Sequence, residues 1–278
     1  MKRKNIIIFL LFLILIWSLF PILWGLRTSL LDEGSLRSKE LNLIPKNINL
    51  ENYSLLLGFD ESDQNMSKNF KKALINSFIS CAGATIVVIL VSSIAGYVFS
   101  KIDFFGNNII FGLVIATMTL PAYAVMIPLY KIVINIGLLD TYTGIILIYS
   151  SAFIPLGLWL MRSHFNTIPD ELEEAAMIAG ASRFKSFLTI LPLVTPGVIS
   201  VAILTFLNTW SQFVIPLVFA PNQAKPLTVL ITEYVGKHSI NYGLMSSAGM
   251  LTIIPPLIIV IFLNRYLISG LTSGAVKG

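Results

Sequence analysis

Six stretches of this chain, residues 6–26, 73–99, 109–130, 143–161, 194–219 and 247–264, contain no Asp, Glu, Lys, Arg or His. Runs near 20 residues cross roughly 30 Å of hydrocarbon as helix. Lipid offers the backbone no hydrogen-bond partner, so a spanning segment must be a helix or part of a closed barrel. Barrel strands alternate apolar with polar residues, whereas these runs are longer and continuously apolar. The sequence therefore predicts an all-α membrane protein with six transmembrane helices. Pro21, Pro121, Pro128, Pro155, Pro216, Pro255 and Pro256 should kink several of these helices or end them early.

Composition agrees. The chain is 55% hydrophobic and 12% charged, against about 25% charged in soluble domains. Its longest polar stretch, Arg27 to Lys72, is too short and too poor in apolar residues to build a core. Residues 1–278 thus read as a single transmembrane domain. The net charge of +5 belongs to residues that flank and orient spans, not to a nucleic-acid surface. One cysteine, Cys81, excludes an internal disulfide and a cysteine-based metal site.

Lys2-Arg3-Lys4 precedes an apolar run longer than a signal-peptide core, with no small-x-small cleavage site after it. This run reads as the first membrane helix. With the N-terminus inside, the inner segments carry Lys2, Arg3, Lys4, Lys101, Arg162, Arg183, Lys185, Arg265 and Lys277, nine of the nineteen basic residues. The bulk charge is thus undecided, and the basic leader favours a cytoplasmic N-terminus. Six spans then place the C-terminus and the 162–192 loop on the cytoplasmic face.

Uncharged spans argue against a proton relay, because intramembrane ionisable groups are its usual mark. Sodium coupling through carbonyls and hydroxyls stays open. The spans instead carry neutral polar and aromatic groups, among them Asn76 and Tyr123. Asn208, Thr209, Trp210, Ser211 and Gln212 form a consecutive run that must spread around more than one helical face. Asn76, Tyr123, Asn208, Trp210, Ser211 and Gln212 are the candidate path residues; amides, hydroxyls and an indole suit a polar, uncharged solute such as a sugar. No phosphate-binding glycine loop is present: the nearest string ends at Lys185-Ser186 with Phe184 in place of the second glycine. The chain has no catalytic or metal motif, and His164 and His238 read as solvated loop residues.

The 162–192 loop is the exception to this uniformity. Thr167-Ile168-Pro169-Asp170 fits a helix start with a threonine cap. Asp170, Glu171, Glu173 and Glu174 crowd the positive end of that helix. Leu172, Ala175, Ala176 and Ala179 form one small apolar stripe. Gly180 lies where the helix should stop in a left-handed cap. Ser182 can cap a second helix presenting Arg183, Phe184, Lys185 and Phe187. The result is a helix–turn–helix knob that a partner protein can push or pull.

Glu174, Ala175, Ala176 and Gly180, with Leu191 and Pro192 after them, resemble the Glu-Ala-Ala loop of permease subunits of ATP-binding-cassette (ABC) importers. Pro45 with Asn52-Tyr53, Asn76-Ser77, Pro128-Leu129-Tyr130 and the tail Gly274 to Gly278 resemble the maltose-permease-like carbohydrate branch, and the tail its smaller permease subunit. The resemblance implies a type I ABC importer permease fold in a bacterial inner membrane, with a cytoplasmic coupling helix. Glu174, Ala175, Ala176, Gly180, Arg183 and Phe184 would then be the ATPase-coupling residues. It also implies a second permease, two ATP-binding cassette subunits or domains that hold ATP and Mg, an extracytoplasmic solute-binding protein and a sugar substrate. This chain would hold no cofactor and would not itself be an enzyme.

Three departures from the family pattern stand out. Ala179 occupies a common Asp position, Gly180 to Pro192 is one residue shorter than usual, and Ser211-Gln212 replaces Asn and an acid. A secondary transporter acting without an ATPase, a membrane scaffold, and an ABC permease for a non-sugar solute are the alternatives.

Overall fold

The computed structural model describes residues 2–37, 48–60, 62–234 and 241–273. Pro45, His238 and the 274–278 tail lie outside the described residues. Among the described residues the regular structure is helical: α1 (Lys2–Ser29), α2 (Glu33–Arg37), α3 (Glu51–Leu57), α4 (Gln64–Lys101), α5 (Asn107–Ala116), α6 (Ala122–Asn135), α7 (Tyr142–Phe165), α8 (Asp170–Ile178), α9 (Arg183–Ile190), α10 (Thr195–Trp210), α11 (Val214–Phe219), α12 (Leu227–Glu233) and α13 (Tyr242–Ser273). Five helical segments are long and apolar enough to cross a membrane, and α5 with α6 makes a sixth if that bent pair is one span.

Four of the six expected spans, 6–26, 73–99, 143–161 and 247–264, fall inside the unbroken helices α1, α4, α7 and α13. The other two are not single helices. Span three divides into α5, a short 3₁₀ turn at Thr117–Thr119, and α6, with a bend of 102°. Pro121 lacks the N–H that would bond the Thr117 carbonyl, and its ring forces Leu120 into an extended conformation (φ −67°, ψ 132°). The Thr117 carbonyl accepts instead from Leu120 N–H at 3.2 Å.

Span five begins earlier than expected, because α9 runs through a 3₁₀ turn into α10 as one helical segment from Arg183. It stops at Trp210. Pro216 cannot donate to the Gln212 carbonyl four residues back, so the helix yields at 211–213 before resuming as α11. Asn208 Nδ2 donates to Leu204 O at 2.7 Å and Ser211 Oγ to Asn208 O at 3.1 Å. The Ser211 hydroxyl thereby satisfies the Asn208 carbonyl, one of the four that the helix end would otherwise orphan.

The chain divides into two compact units, each described by itself. The first holds residues 1–75 and 227–255. There Ser29 Oγ and Tyr53 Oη share a 2.6 Å hydrogen bond, and Ser247 Oγ donates to Ser29 O at 3.2 Å. In the second, residues 76–226 and 256–278, two buried apolar clusters sit along α4 and α7. One joins Val88, Tyr97, Met161, Phe165, Phe187, Ile190 and Val201; the other joins Ala84, Val133, Ile145, Tyr149 and Phe219. Glycines let α4 and α7 approach closely: a Cβ on Gly96 would lie 3.0 Å from Arg162 N, and one on Gly157 3.0 Å from Ser92 Cβ. Backbones this close gain dispersion contacts that larger residues would hold apart.

Candidate coupling knob and solute path

The knob forms as a helix–turn–helix, α8 to α9. Gly180 takes φ +90°, its N–H bonds Met177 O at 2.9 Å, and Ala181 N–H bonds Ala176 O at 3.0 Å. This pair is the Schellman arrangement, and it closes the helix over a left-handed residue that only glycine adopts cheaply. The Ser182 hydroxyl accepts from Lys185 N–H at 3.4 Å and caps α9.

Thr167 does not cap α8. Its hydroxyl donates to His164 O at 2.7 Å, within the final turn of α7, and Pro169 holds the N-cap position with no side-chain bond. The reason is the length of α7, which runs to Phe165 and draws Thr167 into its own end. His164 is likewise not solvated: it is buried in the last turn of α7 against Gly197.

Three side chains near the end of α4 fasten the knob. Tyr97 Oη donates to Glu173 Oε1 at 2.5 Å, and its ring packs on Phe187 and Phe165, with centroids 5.3 and 5.7 Å away. Lys101 Nζ donates to Ile168 O and to Asp170 Oδ1, each at 2.5 Å. Ser100 Oγ donates to Asn166 Oδ1 at 2.6 Å. Glu173 is 5% exposed, so of the acidic run it is the residue turned inward.

Glu174, Ala175, Gly180, Arg183 and Phe184 stand on the exposed side, and Ala176 is half-buried. Leu172, Ile178 (88% exposed), Phe184 (65%) and Leu188 add apolar area to that face. A surface that mixes exposed large apolar side chains, small residues and a few charges has the chemistry of a protein docking site. Tyr97, Lys101 and Glu173 were not among the expected site residues. Their one sequence signal is a tyrosine and a lysine at the end of an otherwise apolar run.

The candidate path residues separate into two groups. Asn208 and Ser211, three apart, are exposed on one side of the α10 end, and Gln212 beside them is half-exposed. Tyr123, 69% exposed, opens α6 just past the other break. Trp210 is turned inward and stacks on Phe206, with ring centroids 5.4 Å apart.

Asn76 is a tether rather than an open side chain. It is 1% exposed; Nδ2 donates to Gln223 O at 2.9 Å and Lys225 O at 2.8 Å, and Oδ1 accepts from Tyr142 Oη at 2.6 Å. The same loop is gripped by Asp140, which sits at φ 58° and accepts from the N–H groups of Asn222, Gln223 and Ala224. Between the two breaks, Thr117, Leu120, Met126, Ser151, Ile215 and Phe219 help line a cavity of about 290 Å³. Among the described residues no group of three His, Cys, Asp or Glu side chains is placed to hold a metal ion.

Comparison with known proteins agrees with this architecture. Residues 88–273 match the family model described as binding-protein-dependent transport system inner membrane component. The sulfoquinovosyl glycerol transport system permease protein SmoH of Agrobacterium fabrum is 33% identical, over 96% of this chain and 91% of the relative. The trehalose/maltose transport system permease protein MalG of Thermococcus litoralis is also 33% identical, over 96% and 94%. The melibiose/raffinose/stachyose import permease protein MelC of Bacillus subtilis is 30% identical, over 100% and 98%. A crystal structure of a bacterial ABC transporter involved in alginate import superposes with a TM-score of 0.82 at 21% identity, covering 95% of this chain and 96% of that one. The chain, helical in its regular structure among the described residues and carrying these apolar spans, is an integral membrane permease subunit with the fold of an ABC importer permease. It belongs to the family of binding-protein-dependent transport system inner membrane components.

Proposed function

We infer that this protein, its 278 residues acting as one transmembrane domain, forms half of the path by which an ATP-driven importer brings a sugar or oligosaccharide into a bacterial cell. It pairs with a second permease, two ATPase subunits or domains that bind ATP and Mg, and an extracytoplasmic solute-binding protein. The N- and C-termini and the knob face the cytoplasm. The observation that carries this reading is the knob: its exposed face sets the small Ala175 and Gly180 beside the large apolar Leu172, Ile178 and Phe184 and the charged Glu174 and Arg183, while its inner face is bonded to the bundle through Tyr97 and Lys101. A docked ATPase that closes on nucleotide would therefore move helices, not a loose loop. Glu174, Ala175, Ala176, Gly180, Arg183 and Phe184 meet the ATPase.

A sugar is the solute class because three relatives are named for sulfoquinovosyl glycerol, trehalose/maltose and melibiose/raffinose/stachyose transport. The exposed hydroxyl and amides of Ser211, Asn208 and Gln212 beside the α10 break offer the neutral hydrogen bonds that such a solute needs. Tyr123 adds an aromatic face at the second break. Trp210 supports this surface from behind.

The test is uptake of labelled maltose, trehalose and raffinose by the assembled complex, with Asn208→Cys in a Cys81→Ala background. ATP-dependent uptake of one sugar, with that sugar slowing alkylation at position 208, is the expected result. Uptake by the purified chain alone, driven by an ion gradient, would overturn the reading.

A further inference from the structure

The knob and the loop after α11 are tied to widely separated points on the same two helices. At one end of α4, Tyr97 and Lys101 hold α8, and Ser100 holds Asn166 just past α7. Twenty-one residues back along α4, about 32 Å away and three turns inside the helix start, Asn76 holds the backbone at Gln223 and Lys225. Tyr142, at the start of α7, completes that clamp, and Asp140 just before it grips Asn222 to Ala224.

The more direct route from the knob to this loop runs through α9 and α10, and it is interrupted at 211–213. A break of that kind absorbs displacement, because its backbone is not held by the helical ladder. By contrast α4 has no proline anywhere along its length, unlike α1, α6, α7, α10 and α13. It is locked to α7 by the close approaches at Gly96 and Gly157. Two helices packed closely and pinned at two distant points transmit a shift between those points as a unit.

We propose that the α4–α7 pair is the strut that carries knob displacement past the α10 break to the 221–225 loop, with Tyr97 and Asn76 as the positioning residues at its two ends. This rests on the coupling reading above, under which the knob moves with the ATPase and the loop faces outward. Opening and closing at the outer surface then follows nucleotide state through α4 and α7, while the 211–213 break between α10 and α11 flexes around the solute.

The test uses the assembled complex in lipid nanodiscs, in a Cys81→Ala background, with a nitroxide at Glu171→Cys on the knob or at Asn222→Cys on the loop. Spectra are compared with and without ATP plus vanadate. Both labels should respond in the otherwise unchanged chain. In Tyr97→Phe and in Asn76→Ala the response at 171 should persist while that at 222 falls by at least about fivefold. Where Asn76→Ala does not assemble, Tyr142→Phe removes one bond of the same clamp and should reduce the response at 222 in the same direction. Full response at 222 in these variants, with 171 still responding, overturns the strut and leaves the coupling reading standing. No response at 171 in the unchanged chain overturns both.

Discussion

Tyr97 and Glu173, 76 residues apart, share a 2.5 Å hydrogen bond that joins the end of a membrane helix to the first turn of the knob. The carboxylate is buried, and the tyrosine ring is itself held between Phe165 and Phe187. A hydrogen bond to a charged group contributes about 1.5–3 kcal/mol, and stranding a buried carboxylate costs at least as much. Tyr97→Phe keeps the ring packing and removes the donor. It should lower the sugar moved per ATP hydrolysed and make the 166–182 segment easier to cut with protease. Glu173→Gln retains an acceptor oxygen and should be milder. Equal transport stoichiometry and protection in the three proteins would refute this role.

Gly180 sets the angle between α8 and α9 through its backbone alone. A Cβ there would meet nothing of this chain within 4 Å, so any effect of substitution inside the subunit is conformational. A non-glycine residue in the left-handed region costs roughly 1–2 kcal/mol. Gly180→Val should abolish uptake while the subunit still reaches the membrane, and Gly180→Asn should retain much of it because asparagine tolerates that conformation. Uptake and membrane content, measured side by side, decide the point; equal loss in both variants would mean the side chain, not φ, is at fault.

Gly96 is the opposite case, a glycine required by a neighbour. A Cβ at Gly96 would lie 3.0 Å from backbone atoms of Met161 and Arg162, so its absence is what lets α4 approach α7. Gly96→Leu must push the helices apart, and overpacking of this kind costs about 1–3 kcal/mol or more. The expected outcome is a lower unfolding temperature of the purified complex, with Gly96→Ala intermediate. An unchanged melting profile for the leucine variant would show that the two helices are not packed as tightly as the distances say.

What the sequence revealed was local. Uncharged runs locate the spans because lipid forbids charges, and Gly180 and Ser182 mark the knob's turn because caps depend on a few neighbouring residues. Long-range pairings were not legible. Asn76 reads as a polar residue in a span, and its role as a clamp depends on carbonyls 147 and 149 residues away. Thr167 matches a cap pattern, and it loses that role because α7 extends far enough to use its hydroxyl. The break at 211–213 was half visible: Pro216 announces a defect, but the polar run before it reads as pore lining before it reads as a helix end.

Asp140 gives the sharpest test of the opposite end of that bundle. It sits at φ 58°, a conformation costly for most side chains, and its carboxylate collects the N–H groups of Asn222, Gln223 and Ala224. Two effects are therefore separable. Asp140→Asn tolerates the backbone conformation and keeps one acceptor oxygen, losing only charge assistance. Asp140→Gly relieves the backbone but removes every acceptor, leaving three N–H groups to seek water. Asp140→Ala loses on both counts, by about 2–4 kcal/mol in total. Hydrogen exchange at residues 222–224 should accelerate in the order asparagine, glycine, alanine, with the knob's exchange unchanged. If glycine proves as slow as the native residue, the carboxylate is not what holds the loop, and Asn76 with Tyr142 must hold it alone.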